Sequence, residues 1–230
     1  MNRFFYLSPL ILQTCIWPIV RPAFWFFLRL RVVDAKRLSV INRPGGVIFA
    51  ANHSSELDPI LIPASLPFLS ALMPMFYTSR DPSFYKKSGW RQRFYGGFFF
   101  KIWGAHRLLP GHRDYQRSLQ THIGIVRDGK SLIMFPDGKR LPEPEIGSIA
   151  RGGVGYLAWK TGAVTVPVRI TGAYRITLAD FFLRRRRVGV IFGEPLSPEV
   201  VIGAAEPTVD ACKKASKDVM GHIRELAPSP

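Results

Sequence analysis

Short apolar runs recur along this chain, separated by segments with a different, helical spacing, and that alternation limits the folds open to it. Residues 47–51, 72–78, 131–135, 164–170 and 188–192 each suit one buried strand and are too short for a helix. Between them Tyr115, Leu119, Ile123 and Val126 recur every three or four residues, with Asp114 placed as a cap and Asp128-Gly129 as a stop just before a strand. A strand, a helix and a strand in that order make a crossover, the connection that parallel strands require. The predicted class is therefore α/β, with a mostly parallel or mixed central sheet flanked by helices. Residues 147–162 predict a further helix that contains three internal glycines, and Val209, Cys212, Ser216, Val219, Met220, Ile223 and Leu226 mark an amphipathic one capped by Thr208. One substantial core suffices for 230 residues, and no internal repeat divides them.

Residues 1–33 stand apart from residues 34–230, because they are apolar, aromatic and interrupted at Pro18-Ile19-Val20-Arg21-Pro22. As a helix, residues 4–20 would measure about 26 Å, short of the ~30 Å hydrocarbon core of a bilayer. With Pro9, Pro18 and Arg21 present, the segment predicts two short membrane-associating helices in one leaflet, with Trp17 and Trp25 near the headgroups and Arg21, Arg29 and Arg31 reaching phosphates. A hydrophobic helical pair docked on the core is the plain alternative. No small-residue cleavage site follows the run, which argues against a signal peptide.

The 32 Lys and Arg residues against 16 acidic ones give a net charge of +16, so the expected partners are anionic: phospholipid surfaces, phosphorylated substrates, an acidic carrier protein or nucleic acid. The aromatics favour lipid, since platforms that stack bases interleave basic residues more densely, and no nucleic-acid partner is expected. Phe181-Phe182-Leu183 runs into Arg184, Arg185, Arg186 and Arg187 and reads as an aromatic anchor beside a polybasic loop. Each such arginine contributes ~1 kcal/mol beside an anionic leaflet; a solvated charge run is the alternative. The aromatics of residues 94–103 predict core packing that could also line an acyl-chain groove. Cys15 and Cys212 suggest neither a disulfide framework nor a zinc cluster, which fits a reducing cytosolic face. His106, His112, His122 and His222 lack metal-ligand spacing and read as surface or packing residues.

The chemistry concentrates in Ala50-Ala51-Asn52-His53-Ser54-Ser55-Glu56-Leu57-Asp58-Pro59, where a histidine and a carboxylate lie five apart just after an apolar run. Five residues of pure helix would rotate the two side chains about 140° apart. His53 is therefore expected in an irregular turn and Asp58 in the first turns of the next helix, with Asn52, Ser54 or Ser55 supplying turn and cap chemistry. An imidazole oriented by a carboxylate takes a proton from a hydroxyl, a step typically worth ~10² to 10⁴ in rate. The bland reading is a polar turn that caps a helix. A metal reading of His53-x-x-Glu56-x-Asp58 lacks a second dense ligand cluster, and no metal is expected. Residues 131–135 likewise break into Pro136-Asp137-Gly138-Lys139-Arg140, where two cations and exposed backbone N–H groups at a strand's carboxyl end suit a phosphate-bearing ligand.

These segments together resemble the glycerolipid acyltransferases typified by 1-acylglycerol-3-phosphate (lysophosphatidate) acyltransferase. Residues 52–58 fit that family's first motif, Phe135-Pro136-Asp137-Gly138-Lys139-Arg140 is similar to its third, usually Phe-Pro-Glu-Gly-Thr-Arg, and Val166-Pro167-Val168 is similar to its fourth; the likeness spans about residues 34–200. It implies that His53, held by Asp58, deprotonates a lysolipid hydroxyl that attacks the thioester of acyl-CoA or an acyl carrier protein. Gly138, Lys139 and Arg140 would bind the acceptor's head group, with no cofactor beyond the acyl donor. It implies a catalytic domain over residues 34–230, associated with the cytoplasmic face of the inner (plasma) membrane. Asp137 and Lys139 depart from the usual glutamate and threonine, and Pro110 stands where the second motif usually has arginine. Either Arg107 or Arg113 then takes over the phosphate contact, or the acceptor differs. Lysophosphatidate, other lysophospholipids and lyso-aminolipids all stay open, and the rival from another class is a non-catalytic basic membrane- or nucleic-acid-binding protein.

Overall fold

Strands β1 (Arg31–Val33), β2 (Val47–Ala51), β3 (Met75–Ser79), β4 (Ala105–Arg107), β5 (Ser131–Met134), β6 (Val164–Thr171) and β7 (Gly189–Phe192) form one sheet, in the order β1-β7-β6-β2-β5-β3-β4. All neighbours pair in parallel except β6 and β7. The computed structural model describes residues 4–41, 45–79, 101–109, 114–203 and 205–227. Around the sheet lie α1 (Phe4–Phe27), α2 (Asp58–Ser65), α3 (Gln120–Arg127), α4 (Gly153–Thr161), α5 (Leu178–Phe182) and α6 (Val209–Glu225).

Side-chain alternation along a strand explains why the sheet needs cover on both faces. Val47, Phe49 and Ala51 of β2 join a core with α2 and the end of α1, through Leu61, Ile62, Phe24 and Leu28. Ile48 and Ala50 join the opposite core, with Ile123 and Val126 of α3, Leu157 of α4 and Met220 of α6. Burial on both faces is why the central strands read as unbroken apolar runs.

Several elements differ from expectation in extent. The strand expected at residues 72–78 begins at Met75. β1 and β4 are unforeseen; each is a three-residue edge strand, too short to show a period. Asp114 does cap the next helix, its Oδ1 accepting the Arg117 N–H at 3.1 Å, but Leu119 divides the segment into one turn (Tyr115–Ser118) and α3. The helix expected at residues 147–162 is confined to α4, because Gly147 at φ 75° belongs to a turn; Gly162 at φ 65° closes α4 in the left-handed conformation. Thr208 caps α6 by accepting the Ala211 N–H at 3.2 Å.

The N-terminal segment is one helix through Pro9, Pro18 and Pro22, where two helices were expected. Tertiary bonds outweigh the lost helical ones here. Gln13 donates Nε2–H to Met75 O at 2.7 Å and to Trp103 O at 3.1 Å, and accepts the Met75 N–H at 2.9 Å. One turn later the Trp17 indole N–H donates to Leu66 O at 3.1 Å, and one turn beyond that Arg21 donates to Ala64 O. The two bonds satisfy carbonyls at the C-terminal end of α2. Trp17 and Arg21 therefore face the domain, a correction to their expected place among lipid headgroups. Phe4, Leu7, Ile11, Ile19, Trp25 and Phe26 point outward, from 47% to 71% exposed.

Candidate active site

His53 follows β2 directly and Asp58 opens α2, so the residues between them form the irregular turn that the spacing demanded. Asn52 pins the end of β2 to β6: its Nδ2 donates to Ile170 O at 2.9 Å, and its Oδ1 accepts the Ile170 N–H at 2.7 Å. The turn then folds back until His53 Nδ1 lies 2.8 Å from Asp58 Oδ2. Because an ionised carboxylate only accepts, Nδ1 carries the proton of this bond and Nε2 keeps its lone pair. The same Oδ2 accepts the backbone N–H groups of Ser54 at 2.6 Å and Ser55 at 2.9 Å, while Oδ1 accepts their hydroxyls at 3.1 and 2.8 Å. Asp58 is fully buried and held at five points. Both serines thus act on the carboxylate, a finer role than the turn and cap chemistry expected of them.

The turn after β5, the strand next to β2, closes the other side of the histidine. The Phe135 ring stacks on the His53 ring at 4.4 Å between centroids, and the Leu141 N–H donates to His53 O at 2.9 Å. Asp137 is buried; its Oδ1 accepts the Gly147 N–H at 3.1 Å, and among the described residues its Oδ2 has no partner in full hydrogen-bond geometry. Burial pushes its carboxyl up to about 6, against the downward pull of Gly147, His53 and Lys139. Lys139 is exposed. Arg140 Nη1 lies 3.0 Å from Glu56 Oε1, an ion pair that ties the two loops together and that the sequence did not reveal, its partners being 84 residues apart. Gly138 sits at φ 63°, a backbone conformation that favours glycine.

The other nominated residues are scattered. Arg107 lies on edge strand β4, three strand spacings from β2, about 14 Å at ~4.8 Å each, so the structure does not bring it to the histidine. Arg113 lies outside the described residues. Trp25 and Arg184 line one shallow depression of about 490 Å³ at the end of α1, together with Phe26, Arg29, Leu30 and Arg31. There Arg184 donates Nε–H to Phe26 O at 3.1 Å, and Phe27 stacks on Phe181 at 4.9 Å. Arg185 and Arg187 are exposed beside it, and Arg186 pairs with Asp180 at 3.8 Å. Of the expected packing histidines, His106 and His122 are buried; His122 Nε2 lies 3.1 Å from His106 O. Among the described residues no group of three His, Cys, Asp or Glu is arranged for a metal ion.

An α/β sheet with a carboxylate-anchored imidazole at its carboxyl edge, facing a cation-bearing turn, has the chemistry of a general base beside positive charge. The sequence model of the family described as Acyltransferase matches residues 32–171, and the chain belongs to that family. A probable 1-acyl-sn-glycerol-3-phosphate acyltransferase of Mycoplasma pneumoniae is 24% identical over 185 residues, covering 75% of this chain and 65% of that protein's length. The crystal structure of the 1-acyl-sn-glycerophosphate (LPA) acyltransferase PlsC from Thermotoga maritima shares the fold: its TM-score is 0.57 at 20% identity, over 96% of this chain and 81% of that one.

Proposed function

We propose that this protein transfers a fatty acyl group from acyl-CoA or an acyl carrier protein to the free hydroxyl of a lysophospholipid, with 1-acylglycerol-3-phosphate the best-fitting acceptor and phosphatidate the product. The observation that carries the reading is the His53–Asp58 pair at 2.8 Å, within the segment that matches the acyltransferase family. His53 Nε2 takes the hydroxyl proton as the oxygen attacks the thioester carbonyl, and Asp58 stabilises the imidazolium that forms. Collapse of the tetrahedral intermediate breaks the carbon–sulfur bond. The imidazolium then returns its proton to the departing thiolate, which leaves histidine neutral for the next turnover.

The outward face of α1 supports a membrane setting. At 24 residues and ~1.5 Å each, α1 is about 36 Å long, and Tyr6–Phe27 is long and apolar enough to cross a bilayer. Yet it is docked along its length, from the Tyr6 hydroxyl on Asp128 to Phe26 O beside Arg184, so it cannot cross without taking polar parts of the domain into hydrocarbon. The helix lies in the plane of one leaflet, with its apolar side down and Trp25 and Arg184 to Arg187 at the headgroups, on the cytoplasmic face where the soluble thioester donors are.

Detergent-purified protein and its H53A variant, given lysolipids with acyl-CoA or acyl carrier protein and read by mass spectrometry, test the proposal. A diacyl product from the wild type alone is expected. No product from any pair, with the protein folded and bound to anionic vesicles, would leave a non-catalytic membrane binder.

A further inference from the structure

The turn Pro136-Asp137-Gly138 carries a cation that the sequence motifs did not nominate. A Cβ built on Gly138 would lie 2.5 Å from Arg151 Nε and 2.8 Å from its Cδ, so the arginine side chain crosses directly over the turn. Its root is fixed, since the Arg151 N–H donates to Pro136 O at 2.9 Å. The side chain is exposed, and among the described residues its guanidinium has no counter-charge. Arg140, by contrast, is already paired with Glu56, and Arg107 stands on the far edge of the sheet. Among the described residues, Arg151 is therefore an arginine both poised over the histidine's neighbouring turn and free of a counter-charge that an incoming anion would have to displace.

We propose that Arg151, with Lys139 beside it, binds the phosphate of the acyl acceptor and so sets the preference for a phosphorylated lysolipid; this rests on the acyl-transfer reading above. A guanidinium meets a phosphate with two parallel N–H donors, which fixes orientation as well as charge. Pro110 cannot supply that contact, and Arg151 reaches the same turn from the start of α4. Gly138 has a defined part here: any side chain at that position would displace the guanidinium.

Calorimetric titration of the detergent-solubilised full chain with lysophosphatidate, with the phosphate-free 1-monoacylglycerol and with acyl-CoA separates the sources of phosphate. The wild type is expected to prefer lysophosphatidate over monoacylglycerol by about tenfold or more, as one charge-assisted contact allows. R151A should lose most of that preference, R151K should keep part of it, and acyl-CoA affinity and melting temperature should not move. Unchanged lysophosphatidate affinity in R151A, a loss confined to acyl-CoA, or no phosphate preference in the wild type would overturn the assignment. The readout is binding, so an Arg151-dependent preference in a protein that forms no product would refute acyl transfer and leave the phosphate site standing.

Discussion

Asp58 is enclosed by five polar contacts and wholly buried, whereas Lys139, Arg140 and Arg151, one loop away, reach into solvent and Asp137 leaves one oxygen unpaired. The loop after β2 is preset, since every acceptor position on the carboxylate that orients His53 is taken before a ligand arrives. The loop after β5 is adjustable, because its Arg140–Glu56 pair is more than 40% exposed on both sides and can exchange partners. The contrast fits the departures from the family pattern: Asp137 and Lys139 fall in the adjustable loop, while the histidine–aspartate spacing is intact. Proton transfer tolerates little displacement, and head-group recognition can be rebuilt one cation at a time.

The contrast can be broken most severely at the preset loop. H53A should lower kcat by ~10² to 10⁴ while vesicle binding and melting temperature hold, measured by product formation beside thermal unfolding. S55A removes a 2.8 Å bond to Asp58 and should cost kcat about tenfold with acceptor KM unchanged; an equal rise in KM would mean that the serine contacts substrate instead. At the adjustable loop the expected effects are smaller and appear in KM. R140A should raise the acceptor's KM several-fold more than the donor's, and E56Q, which frees Arg140 from its carboxylate, should lower it. Equal changes for donor and acceptor would remove Arg140 from the acceptor site.

The smallest effects concern stability and pH, and they act in opposite directions. Asp137 titrates near 6 when folded, above its ordinary 3.8, so its contribution is full below about pH 4 and is lost as pH rises through about 6. D137N should therefore be more stable than wild type at pH 7, by on the order of 1 kcal/mol, and no more stable at pH 4. His106 and His122 are both lowered from 6.5 to about 4, chiefly by burial, so their contribution is full above about pH 6.5 and fades as pH falls towards 4. Two imidazoles outweigh one carboxyl, so melting temperature should fall with acidification, and H106L should flatten that limb. A limb left unchanged would place the acid sensitivity elsewhere.

Sequence periodicity carried the buried strands and the capped helices, because β2, β5 and β6 are apolar on both faces and Asp114 and Thr208 are local signals. The dyad was legible for the same reason, both members lying within six residues of one another. What escaped depends on distant pairs. Residues 18–22 read as a helix break because Leu66 and Ala64, the acceptors for Trp17 and Arg21, cannot be seen from the N-terminal segment. The Glu56–Arg140 pair requires two loops to meet, and the crossing of Arg151 over Gly138 joins residues 13 apart, so no local pattern shows either.

Gln13 closes three backbone groups of β3 and the segment before β4 with one amide, so α1 is a structural member of the sheet as well as its proposed lipid contact. An anchor on a linker could float at any height, but a helix bolted to the sheet edge acts as a keel. On the function proposed above, the draught at which α1 rides in the leaflet fixes the height of His53 above the lipid, and with it how far a lysolipid must be lifted before its hydroxyl meets the imidazole. Bilayer thickness and packing would then become variables of turnover, transmitted to the proposed reaction through the side of a single glutamine.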